Sequence, residues 1–113
     1  KYWVLKGFHG HRLQQFFEQH LEENPNMEQM AAKLDVSVRM LTKRCRQITG
    51  RPPAEAFRRY KMEYAAYLLR DPGLCVKEVS YRLGFPNQCH LSRVFRRYFG
   101  YPPSRHRDQP KSG

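Results

Sequence analysis

Apolar residues recur at helical spacing along most of this chain, and glycine, proline or a capping residue interrupts each run. Leu13, Phe16, Phe17, His20 and Leu21 mark a helix over His11–Glu23. Asn24-Pro25 stops it, and Asn26 is placed to cap a short helix carrying Met27, Met30, Ala31 and Leu34. Asp35-Val36-Ser37 forms a turn. Ser37 then caps a helix over Val38–Thr49, with Leu41, Cys45 and Ile48 inward and Arg39, Thr42, Lys43 and Arg46 outward. After Gly50 and Pro52, a longer helix spans Pro53–Arg70 with a wide stripe of Phe57, Tyr60, Tyr64, Ala65, Leu68 and Leu69. Asp71-Pro72-Gly73 ends it. Val76, Val79 and Leu83 mark another short helix, which Gly84 breaks. Asn87 caps a last strongly patterned helix running to Phe99, with Leu91, Phe95 and Phe99 inward. Gln88, Ser92, Arg93, Arg96 and Arg97 fall on its outer face.

Two stretches repeat each other. Met27, Met30, Ala31, Leu34 and Val36 match Val76, Val79, Ser80, Leu83 and Phe85 at an offset of 49 residues. After one extra residue in the second turn, Leu41, Lys43, Cys45, Arg46, Gly50, Pro52 and Pro53 match Leu91, Arg93, Phe95, Arg96, Gly100, Pro102 and Pro103 at an offset of 50. A short helix, a tight turn and a basic second helix make a helix-turn-helix, and the chain carries that pattern twice. Chance would have to place core, turn and basic face together two times. The turns differ in one respect: Gly84 has Asp35 as its counterpart, which tolerates left-handed backbone less well. The first unit is therefore expected to be the looser one.

Charge sharpens this picture. Lys and Arg number 21 against 10 Asp and Glu, a net charge of +11 in 113 residues. Residues 1–26 carry three charges of each sign, residues 27–70 a net +6 and residues 71–113 a net +5. The excess lies on the repeated units and points to a polyanion. Arg39, Lys43 and Arg93 suit guanine, and Gln88 suits adenine. Arg44, Arg46, Arg96, Arg97 and Arg105 suit phosphate.

The second unit, GFPNQCHLSRVFRRYFGYPPSRHR, resembles the signature of the AraC/XylS-type transcription regulators. The first unit matches more loosely, through Ala31, Leu34, Leu41, Gly50 and Pro53, then Arg59, Tyr60 and Ala65–Leu69 on the linker; the likeness covers about residues 11–107. It implies an all-α fold of about seven helices, with two helix-turn-helix subdomains joined by a long linker helix. It also implies binding to consecutive major-groove segments of double-stranded DNA. The base-reading positions it carries over are Arg39, Met40, Thr42 and Lys43, then Gln88, Cys89, Ser92 and Arg93. Met40 and Cys89 lack strong hydrogen-bonding groups and suit thymine methyls instead.

The expected organisation is an N-terminal arm or linker remnant (1–10), a first unit (11–52), the linker helix (53–70), a second unit (71–107) and a disordered tail (108–113). The absence of an initiator Met and the start of zero net charge suggest a longer protein with an upstream sensing or dimerisation domain, as is usual in the family. RNA polymerase is a candidate second partner. Cys45, Cys75 and Cys89 make no CxxC pair and fit a reducing cytoplasm. Five histidines have no metal-ligand spacing with them. No catalytic carboxylate pair, Ser-His-Asp set, phosphate-cradling glycine loop or membrane-length apolar run is present, so no catalysis, metal, cofactor or membrane is expected. Two other readings compete: a basic protein-interaction module with only unspecific DNA binding, and an RNA binder. The RNA binder is disfavoured because most aromatics fall on apolar stripes rather than on an exposed stacking surface.

Overall fold

A computed structural model describes residues 8–108, and among these it is entirely helical, with seven helices. They are α1 (Phe8–Gln19), α2 (Met27–Lys33), α3 (Val38–Thr49), α4 (Pro53–Leu68), α5 (Val76–Arg82), α6 (Gln88–Phe99) and α7 (Pro103–Asp108). The principal extents are 41 × 32 × 22 Å.

The two basic helices fall where the pattern puts them. The first helix does not. It begins at Phe8 rather than His11, so Phe8, His9 and Gly10 are helical rather than part of an arm. Glycine weakens a helix interior by about 1 kcal/mol, but Gly10 is buried, and packing outweighs propensity there. The helix also ends at Gln19, four residues before the predicted Glu23. The bonds from His20 N to Phe17 O (3.3 Å) and from Glu23 N to His20 O (3.0 Å) wind the chain into tight turns instead. α4 likewise stops at Leu68, where Arg70 N and Asp71 N bond back three residues to Tyr67 O and Leu68 O. Asp108, assigned to the tail, is the last residue of α7. The remainder of the expected arm and tail, residues 1–7 and 109–113, lies outside the described residues.

Two cores form, one around each unit. The first gathers Leu13, Phe16 and Phe17 of α1, Met30 and Ala31 of α2, Leu41 and Cys45 of α3, and Ala56, Phe57 and Tyr60 of α4. The second gathers Met62, Ala65, Leu68 and Leu69, Val79 and Leu83, and Leu91 and Phe95. α4 thus gives its N-terminal half to one core and its C-terminal half to the other, and Leu21 packs against both. Phe99, expected inward, is half-buried and packs its ring on Phe95 at 4.6 Å. Ala31 and Ser80, small and equivalent, are both buried.

The two turns are built alike. Val36 N bonds to Ala31 O and Asp35 N to Ala32 O; Phe85 N bonds to Ser80 O and Gly84 N to Tyr81 O. This is the Schellman ending of a helix, whose pivot residue must be left-handed. Gly84 takes φ 74°, and Asp35 takes φ 58°.

Candidate nucleic-acid interface

The interface starts from the caps of α3 and α6. Ser37 Oγ accepts from Met40 N at 3.1 Å, and Asn87 Oδ1 accepts from His90 N at 2.8 Å. Each cap fixes where its helix begins and satisfies an otherwise unpaired N–H. Both helices then run 12 residues to a glycine, Gly50 or Gly100, in left-handed conformation. Leu41 and Cys45 anchor α3, and Leu91 and Phe95 anchor α6 in the matching places.

Anchoring one face exposes the other. On α3, Arg39, Met40, Lys43 and Arg46 are exposed, while Thr42 and Arg44 are half-buried. Thr42 Oγ1 donates to Val38 O at 2.9 Å, leaving its lone pairs to accept from an incoming donor. On α6, Gln88, Cys89, Arg93, Arg96 and Arg97 are exposed and Ser92 is half-buried. Arg105 is exposed on α7. None of these eight basic side chains (Arg39, Lys43, Arg44, Arg46, Arg93, Arg96, Arg97 and Arg105) lies within ion-pair distance of a described carboxylate. Ion pairs lie elsewhere, at Arg51–Glu55 (3.7 Å), Arg59–Glu63 (3.6 Å) and His20–Glu23 (3.0 Å). The positive potential of both helices is thus left unneutralised.

One residue that holds the two units together does not stand out from composition. Lys61 of α4 is 3% exposed, yet it ends in an ammonium group. Nζ donates to Glu23 O (2.7 Å), Asn24 Oδ1 (2.9 Å) and Leu83 O (2.9 Å). It also lies 5.0 Å from the Phe57 ring centroid and 5.7 Å from that of Phe85. Its three acceptors come from the α1–α2 loop of the first unit and the α5–α6 turn of the second. Its pKa is lowered from 10.5 to about 8, first by burial and then by the nearby charge of Arg58, with Glu23 opposing both. Beside it, Asn24 Nδ2 donates to Gly84 O at 3.3 Å. A Cβ on Gly84 would collide with the carbonyl of Glu22. The turn of the second unit is therefore seated directly on the first.

Cys45 is buried and its thiol pKa is raised by that burial, against the Thr49 hydrogen bond and the charge of Arg46; it is a core residue. Cys75 and Cys89 are exposed free thiols. Among the described residues, no group of His, Cys, Asp or Glu has a metal-binding arrangement, and no helix is long and apolar enough to cross a membrane.

Comparison with known proteins bears directly on this geometry. The profile of the helix-turn-helix domain family matches residues 30–109, spanning both basic helices. This chain belongs to the AraC/XylS family of transcription regulators. It corresponds to that family's DNA-binding domain. The transcriptional activator RhaS of Salmonella schwarzengrund (strain CVM19633) is 34% identical over 92 residues, covering 81% of this chain and 33% of that protein. The chain thus spans about a third of the length of the curated relatives it matches. The solved DNA-binding domain of AdpA, a global transcriptional factor in complex with a target DNA, aligns with a TM-score of 0.75 at 30% identity, covering 86% of this chain and 87% of that one. A transcriptional regulator with an AraC-type DNA-binding domain from Chromobacterium violaceum shares the fold at a TM-score of 0.77 and 24% identity, covering 86% and 87%.

Proposed function

We propose that this AraC/XylS domain reads double-stranded DNA by sequence, setting α3 and α6 into consecutive major-groove segments. The observation that carries the reading is the pair itself: two equally capped 12-residue helices with unneutralised basic faces, anchored to one linker helix. The unit over residues 11–52 reads one segment and the unit over 71–107 the next, with residues 53–70 setting their separation. Arg39, Met40, Thr42 and Lys43, and Gln88, Cys89, Ser92 and Arg93, face the bases. Arg44, Arg46, Arg96, Arg97 and Arg105 hold phosphates, which add affinity without sequence information. AdpA, whose solved domain holds a target DNA, supports this reading by its likeness.

By likeness to the RhaS transcriptional activators, the intact regulator would raise transcription. The family resemblance further implies contact with RNA polymerase and a sensing or dimerising domain upstream of this one, and the proposed place of action is the cytoplasm, on the nucleoid.

Selection from a random duplex library at fixed salt tests the core of the proposal. It should recover two blocks about ten base pairs apart, one duplex turn. Arg93→Ala should then lower discrimination at one base pair by about 1–3 kcal/mol. Arg97→Ala should weaken all duplexes alike. Equal losses on every sequence for Arg93→Ala would remove its base-reading role. Binding without any enrichment would favour a basic protein-interaction surface instead.

A further inference from the structure

Between the two units lies a cleft of about 540 Å³, open to solvent. Its walls include Asn24, Arg58, Lys61, Phe85, Arg93 and Arg97, and no Asp or Glu lines it. Arg58 comes from the middle of α4, Arg93 and Arg97 from α6. All three arginines are exposed, and none is ion-paired with a described carboxylate. The neighbouring Lys61 ammonium is held by uncharged oxygens only. Four cations from two elements thus line the cleft with no carboxylate among its walls. Because Arg93 belongs both to this wall and to the reading face of α6, the cleft opens onto the surface that would meet the duplex.

We propose that this cleft is a third DNA contact, seating the sugar–phosphate backbone between the two major-groove segments, with Arg58 and Arg97 as its phosphate ligands. A groove lined by guanidinium groups and free of carboxylates suits a phosphate diester, which accepts paired N–H donors. The backbone between two consecutive major-groove segments is the polyanion that would pass a cleft lying between two readers. Arg58 is then a DNA ligand supplied by the linker helix rather than by either helix-turn-helix. Lys61 is a positioning residue that keeps the two walls in register.

The inference rests on the duplex-reading function proposed above, and its test separates the two. Affinity for the selected duplex is measured against salt for the wild-type chain, Arg58→Gln and Arg58→Lys. Losing one phosphate contact should reduce the slope of log K against log salt by about 0.9 and low-salt affinity roughly three- to tenfold. Base-pair discrimination should be retained, and Arg58→Lys should restore the slope. A methylphosphonate placed in turn at each position between the two blocks should weaken the wild type at one or two positions and leave Arg58→Gln indifferent there. A sequence-selective wild type with an unchanged slope in Arg58→Gln, or with methylphosphonate losses equal in both proteins, would overturn this inference alone. A wild type that binds every duplex alike would overturn the parent reading, and the seated backbone with it.

Discussion

The two helix-turn-helix units share a hydrogen-bonding scheme but not its consequences. Both turns close with the same pair of backbone bonds around a left-handed pivot. In the first unit that pivot is the exposed Asp35, a residue with a Cβ. In the second it is Gly84, and its missing Cβ is what lets the Glu22 carbonyl approach. Conformation alone would tolerate Asp or Asn at either place. Only the second turn has a neighbour that forbids a side chain. Identical local geometry can therefore be a matter of small preference in one copy and of steric necessity in the other.

Substitutions can break the comparison, and the second turn should give the largest effect. Gly84→Ala adds both backbone strain and a collision with another backbone, and should cost roughly 3 kcal/mol or more in urea unfolding. Gly100→Ala is the control, because its φ of 82° is equally left-handed but nothing lies within 4 Å of the added carbon. Strain alone should cost about 1–2 kcal/mol there. Equal losses at both sites would mean that the turn is not pinned.

Lys61→Met comes next. It strands two carbonyls and an amide oxygen inside the junction, and each buried unsatisfied acceptor costs about 1–3 kcal/mol before water or rearrangement offsets it. A net loss of about 2–4 kcal/mol in the unfolding free energy is expected. The pH dependence has a definite sign. The unfolded lysine keeps its proton to about pH 10.5, whereas the folded one releases it near pH 8. Between those values the unfolded chain binds more protons, so the stability contributed by Lys61 rises with pH, by at most about 3 kcal/mol. The gap between wild type and Lys61→Met should widen from pH 8 to pH 10.5 in parallel denaturation curves. A gap that narrows would show that the ammonium form is the one the fold favours.

The smallest effect belongs to the first turn. Asp35→Gly removes the strain at φ 58° and should stabilise the domain by up to about 1 kcal/mol, read as a raised thermal midpoint. A loss would mean that the Asp35 side chain contributes more than its backbone costs.

The two basic helices were legible because each carries three independent signals: a cap, an apolar face and a terminal glycine. α3 falls on Val38–Thr49 as its pattern predicts, and α6 begins one residue after its cap, Asn87. α1 carries no comparable signal at its start, and its last turn is given up to a loop whose Glu23 carbonyl serves Lys61. That is a tertiary demand which periodicity along one helix does not register. Lys61 did leave a trace. It lies four residues after Phe57 and four before Ala65, on the apolar stripe itself, where a charged residue requires partners. What the stripe could not name were those partners, since two are backbone carbonyls and the third is an asparagine, 22 to 38 residues away. The cleft was hidden for the same reason. Arg58 reads as one more solvated charge on α4 until α6 is seen beside it.

The Lys61 junction also bears on how strongly one reader helps the other. Two modules on a slack tether meet their second target at an effective concentration set by the tether's reach, in the millimolar range for short flexible links. Here the turn of one unit is tied to the loop of the other through the buried Lys61 amine and the Asn24–Gly84 bond. Under the proposed reading, once α6 is engaged, α3 samples few arrangements besides the one that fits. Avidity gained in that way carries an equally sharp liability. Inserting half a helical turn between the two target blocks would carry the second block to the far side of the duplex, and a frame this firmly joined has no slack with which to follow it.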